Sequence, residues 1–77
     1  MALVRRLKRS TLNRNSLHEE VDASYSIFEH DGRYILQIDS FGTRHRQIPG
    51  KKSQTFQFGP DGISELRRVL SEIPTKP

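Results

Sequence analysis

The sequence predicts an α+β fold: an antiparallel twisted sheet of three to four strands followed by one C-terminal amphipathic helix, assembled as a dimer. Three observations carry this expectation. Apolar and polar residues alternate on both sides of His30-Asp31-Gly32-Arg33. A second alternating run covers Ser53 to Phe58, and an apolar stripe at helical spacing closes the chain at Ile63, Leu66, Val69, Leu70 and Ile73.

The hairpin comes first. An Asp-Gly pair between two alternating runs is the strongest short-range hairpin signal, because both central residues of a type I′ turn need positive φ. Its strands are expected from about Val21 to Glu29 and from Arg33 to about Phe41. With Asp31 and Gly32 in the turn, His30 faces Arg33 and the remaining pairs follow. One face then carries Tyr25, Ile27, Leu36 and Ile38, with Glu29 and Tyr34 at the turn end. The other carries Phe28 opposite Ile35, together with Ser26, Gln37 and Asp39. The first face is expected to be core and the second mostly polar. Ser16 and Glu19 have the spacing of a capping box, which leaves a single helical turn near Leu17–Glu20 as a competitor to an early strand start.

After Gly42 and Thr43, residues 44–48 are read as a short edge strand leading into a Pro49-Gly50 turn, where proline presets φ and glycine supplies its positive value. In the run that follows, Phe56 and Phe58 share one face with Gln54. In the helix, Pro60 suits the first position and Asp61 the positive end of the dipole. Arg68 stands at ion-pair spacing from Glu65 and Glu72, and Pro74 ends the element. The apolar stripe is expected to cover the Tyr25/Ile27/Leu36/Ile38/Phe56/Phe58 face.

With 77 residues the chain allows one domain, read as a basic arm over 1–16 and a single small α+β domain over 17–77. The apolar fraction of 32% is low, and the absence of cysteine excludes a disulfide framework and a thiolate zinc site. Small domains need some such support, so a homodimer is expected. No apolar run is long enough for a membrane span. Lacking the apolar region of a secretory signal, the chain is expected to be intracellular and cytoplasmic, or nucleoid-associated in a bacterium; the Arg-rich, acid-free N-terminus also has the composition of an organelle transit peptide.

The net charge of +4 is unevenly spread. Residues 1–14 hold Arg5, Arg6, Lys8, Arg9 and Arg14 and no acid, residues 15–31 are acidic, and residues 32–52 set Arg33, Arg44, Arg46, Lys51 and Lys52 against Asp39. Two basic blocks around an acidic one point to a polyanion partner. The arm is either a solvated tail or a strap along a nucleic acid backbone or a partner subunit. His18, His30 and His45 lack metal-ligand spacing, and neither a nucleophile elbow nor a glycine-rich phosphate loop is present. No catalytic residue, metal, cofactor or small-molecule substrate is therefore expected, and the chain is read as a non-enzyme.

The basic run Arg44-His45-Arg46 and the pair Lys51-Lys52 lie between Phe41 and Phe56, with Phe28 and Arg33 on the hairpin. Cations that follow phosphates, with rings that stack bases, are the usual route to single-strand binding. The candidate contacts are Arg44, His45, Arg46, Lys51, Lys52, Phe41, Phe28 and Arg33, with Arg5, Arg6, Lys8 and Arg9 from the arm. The alternative is a protein-interaction or regulatory module that docks an acidic partner or extends a partner's sheet.

Pro49-Gly50-Lys51-Lys52-Ser53, then Gly59-Pro60-Asp61 and the Ile63–Ile73 helix, with Ile38-Asp39 ending a central strand, resemble the positive cofactor four type of transcriptional coactivator. The likeness covers roughly Tyr25 to Ile73. It implies a curved four-stranded sheet with a helix, a dimer formed through the helices, single-stranded DNA in sheet grooves and a transcription-related role. By position it makes Lys51 and Lys52 phosphate contacts, with Arg44 and Arg46 beside them.

Overall fold

The computed structural model describes residues 1–41 and 54–75. Over these the chain forms β1 (Ala2–Val4), β2 (Ala23–His30), β3 (Arg33–Ser40), β4 (Gln54–Phe58) and α1 (Pro60–Ser71). The strands make one sheet in the order β1-β4-β3-β2, with the helix C-terminal to it. This is the expected α+β arrangement. The predicted edge strand at 44–48 and the Pro49-Gly50 turn lie outside the described residues.

The hairpin has the predicted turn and register. Asp31 and Gly32 take φ of 52° and 76°, and β2 pairs antiparallel with β3 from His30↔Arg33 to Ala23↔Ser40. Turn chemistry accounts for this, since a two-residue loop with both φ positive matches the twist of the flanking strands and admits one register. β3 then pairs antiparallel with β4 from Leu36↔Phe58 to Ser40↔Gln54.

The sheet is mixed rather than purely antiparallel. Ala2, Leu3 and Val4 pair in parallel with Phe56, Gln57 and Phe58. Parallel neighbours need a long crossover, and here the connection contains the whole hairpin. A three-residue strand carries too little alternation to be read as one.

Burial corrects the expected core. Phe58 is buried, and Leu36 and Ile38 are half-buried, but Tyr25 keeps 72% and Phe56 45% of its surface exposed. Every residue of β2 is exposed. Helix α1 follows β4 after Gly59 alone and packs on β3 and β4. Its 12 residues span only about 18 Å, so burial fades away from the strands it touches. Of its apolar stripe, Ile63, Leu66 and Val69 are half-buried while Leu70 and Ile73 are exposed. Gly62 is the contact point: a Cβ there would collide with the Val4 carbonyl oxygen and press on the Phe58 side chain. The radius of gyration, 14.8 Å, exceeds the roughly 11.5 Å of a compact chain this long.

Candidate nucleic-acid interface

Two features on opposite faces of the sheet meet at the end where β3 gives way to residues 42–53 and β4 begins. On the face expected to be core, register places Tyr25, Ile38 and Phe56 in one row across three strands. Both rings of that row are exposed. Tyr34, also exposed, is on the same face nearer the hairpin turn. The Tyr25–Ile38–Phe56 row lies two pairs from Ser40↔Gln54, the last pair before the connecting segment. Sequence reasoning assigned Phe56 and Tyr25 to the core. Their alternation is the same whether or not a helix covers them, so periodicity alone does not separate the two cases.

The second face carries a row of hydrogen-bonded polar side chains. Thr55 Oγ1 donates to Asp39 Oδ1 at 2.6 Å, and Gln37 Nε2 donates to the same carboxylate at 3.1 and 3.3 Å. Gln57 Nε2 donates in turn to Gln37 Oε1 at 2.9 Å. Asp39 and Thr55 are only 4% and 7% exposed. A buried carboxylate is tolerated only when its oxygens are satisfied, and donors on two strands do this here. The network ties β3 to β4 beside the exit of the connecting segment. Its signal in the sequence was the matched spacing of Gln37 with Asp39 and Thr55 with Gln57.

The predicted contact residues divide into three groups. Arg44, His45, Arg46, Lys51 and Lys52 lie outside the described residues. On the sheet, Phe41 is half-buried directly after β3, and Phe28 is exposed opposite the buried Ile35. Arg33 is exposed at the turn opposite His30, whose Nε2 is 3.4 Å from Asp31 Oδ2. The turn is at the other end of the strands from Phe41.

The arm lies along α1. Arg5 and Arg6 share a shallow polar hollow with Asp61, Ser64 and Glu65. Arg68 Nη2 donates to the Leu7 carbonyl at 3.0 Å, and Arg9 Nη1 is 3.8 Å from Glu72 Oε1. Arg68 also bonds Glu65 at 3.1 Å and Glu72 at 2.8 Å, the two partners its spacing predicted. Arg68 holds the Glu65 carboxyl below its ordinary value, assisted by the Leu7 backbone N–H and the charge of Arg6 against a smaller opposing effect of desolvation. Glu65, followed by Glu72, raises the Arg68 guanidinium in return. Leu7, Val69, Ile73 and Pro74 contribute to a groove of about 390 Å³ between arm and helix, with Lys8 and Arg9 among its lining.

No family model, curated protein or solved structure matches the chain. Among the described residues, no group of three or more His, Asp or Glu side chains is arranged to hold a metal ion. No described helix is long and apolar enough to cross a membrane.

Proposed function

We propose that the chain binds single-stranded nucleic acid, with bases stacked on the open Tyr25–Phe56 side of the sheet and phosphates neutralised by the basic segment between β3 and β4. The observation that carries the reading is the exposure of two rings on one face, two pairs from the point where that segment leaves the sheet. Stacking is sequence-tolerant because every base has a π-face, and it contributes about 1–3 kcal/mol per base. Arg44, Arg46, Lys51 and Lys52 supply the cations. Tyr25 and Phe56 thus take the stacking role that sequence had given to Phe28 and Phe41, and the reading agrees with what the resemblance to the positive cofactor four type implies. The functional unit in this reading is a homodimer.

Fluorescence anisotropy with a labelled single strand is the test. Four phosphate contacts give a slope of about −2.8 in log K against log salt, or roughly a 50-fold loss of affinity between 50 and 200 mM. The K51E/K52E double variant should flatten that slope by about half and weaken binding to all sequences. Tyr25→Ala should cost about tenfold at fixed salt while leaving the slope alone. Salt-independent binding, or no binding at 50 mM salt, would remove the proposal.

A further inference from the structure

The two edges of the sheet are built differently. β1 is three residues long and is followed at once by Arg5 and Arg6. Short strands and flanking charges are how proteins blunt an edge. β2 forms the other edge, with eight residues all exposed. From Ala23 to Phe28 it has no charge and no proline. Among the described residues no strand lies beyond it.

The hairpin fixes which backbone groups face outward. In a two-residue loop the flanking pair exchanges both hydrogen bonds, so His30↔Arg33 is a bonded pair and the pattern alternates from there. His30, Phe28, Ser26 and Ser24 therefore direct their N–H and C=O toward β3. Glu29, Ile27, Tyr25 and Ala23 direct theirs away from the sheet. Eight outward groups in an exposed strand are a template for another strand.

We propose that β2 pairs antiparallel with β2 of a second copy about a two-fold axis at Ser26, joining two sheets into one. This rests on the dimer reading above and gives it an edge-strand interface in place of the helix-to-helix contact that the resemblance implies. Outward groups pair only with outward groups, so odd-numbered residues face odd-numbered residues. The register that sets Tyr25 against Ile27 of the other copy places an aromatic beside a β-branched residue, a favourable cross-strand pair. The same register sets His30 against Asp22 and Ser26 against itself, and no like charges meet. It also makes the Phe56–Ile38–Tyr25 row continuous with Ile27, Leu36 and Phe58 of the second copy. A two-fold contact of this kind is closed: it uses each β2 edge once and, among the described strands, leaves the short β1 edges outside.

The chemistry of the edge agrees with a second copy as the occupant. In this register His30 of one copy meets Asp22 of the other at both ends of the pairing, so the charges of the edge complement those of a second copy.

The experiment separates backbone from side chain. Ile27→Pro removes an outward N–H and no bond to β3, while Ile27→Ala removes the side chain and keeps the N–H. Sedimentation equilibrium of the full chain without nucleic acid should give twice 8.9 kDa for wild type and Ile27→Ala, and a folded monomer for Ile27→Pro. Amide exchange on the wild type supplies a readout independent of any variant: the Tyr25 and Ile27 amides should be protected at high protein concentration and lose protection at least tenfold on dilution, while Ser26 changes less. A wild-type monomer at 100 μM overturns both the dimer and its interface. A dimer that survives Ile27→Pro, or Tyr25 and Ile27 amides that exchange freely in the dimer, overturns the edge pairing alone.

Discussion

Replacing Thr55 by valine tests the most specific packing feature of the sheet. Valine keeps the β-branched shape of threonine and removes the hydroxyl that donates to Asp39 at 2.6 Å. That short bond to a carboxylate is charge-assisted, and such bonds contribute about 1.5–3 kcal/mol. The carboxylate is 4% exposed, so water cannot enter freely to replace the lost donor, although Gln37 still donates to it. We therefore expect Thr55→Val to destabilise the fold by about 2 kcal/mol, with Thr55→Ser costing less because it restores the donor. In a domain of this size 1 kcal/mol moves Tm by about 4–8 °C, so the shift should be roughly 8–16 °C. Urea unfolding followed by circular dichroism should show a lower midpoint at unchanged m. A loss below about 0.5 kcal/mol, or an equal loss in the serine variant, would mean that the hydroxyl is not what holds β4 to β3.

Gly62→Ala should destabilise by about 1–3 kcal/mol although alanine is the better helix former, because the added Cβ meets the Val4 carbonyl and the Phe58 side chain; a stabilised variant in the same urea assay would show that α1 is not seated on β1. The arm should come away from α1 in acid. The folded pKa of Glu65 is lowered, so its contribution is present above the ordinary 4.5 and is lost as pH falls through the lower folded value. Backbone resonances of residues 5–9 should accordingly be constant from pH 7 to 5 and move below 4.5, and Arg68→Ala should give the acid spectrum of these residues at neutral pH. Arm shifts that ignore both changes would refute the docking.

The hairpin was legible because its information is local. Asp31-Gly32 specifies two positive φ values, and these determine every β2–β3 pair. The helix was legible for a similar reason, since Pro60, the apolar spacing and the Glu65–Arg68–Glu72 triplet all act within a few turns. What failed depends on distance in the chain. Whether Tyr25 and Phe56 are core is decided by how far a short helix reaches over the sheet, and alternation in β2 and β4 is identical in either case. β1 was left within the basic arm because Leu3, Val4 and Leu7 sustain neither a strand nor a helix period, and Ala2–Val4 finds its partner at Phe56–Phe58, across the length of the domain. The polar row was half legible: Gln37 and Asp39 were placed on the polar face, but the alternation did not say that Asp39 and Thr55 would be buried there.

The charge pattern changes meaning once the arm is placed. By sequence, residues 1–14 and 32–52 were equivalent basic blocks. In the fold, the first block lies beside the acids of α1, with Arg5 and Arg6 near Asp61 and Glu65 and Arg9 near Glu72. A polyanion approaching there meets cations already facing carboxylates, and its gain is reduced by the charges it must displace or tolerate. Between Arg33 and Lys52 the chain has one acid, Asp39. The first block is thus partly neutralised within the chain. In the proposed reading the salt dependence originates with Lys51 and Lys52, which is why the paired lysine substitution, and not a change in the arm, is the decisive variant for the proposed activity.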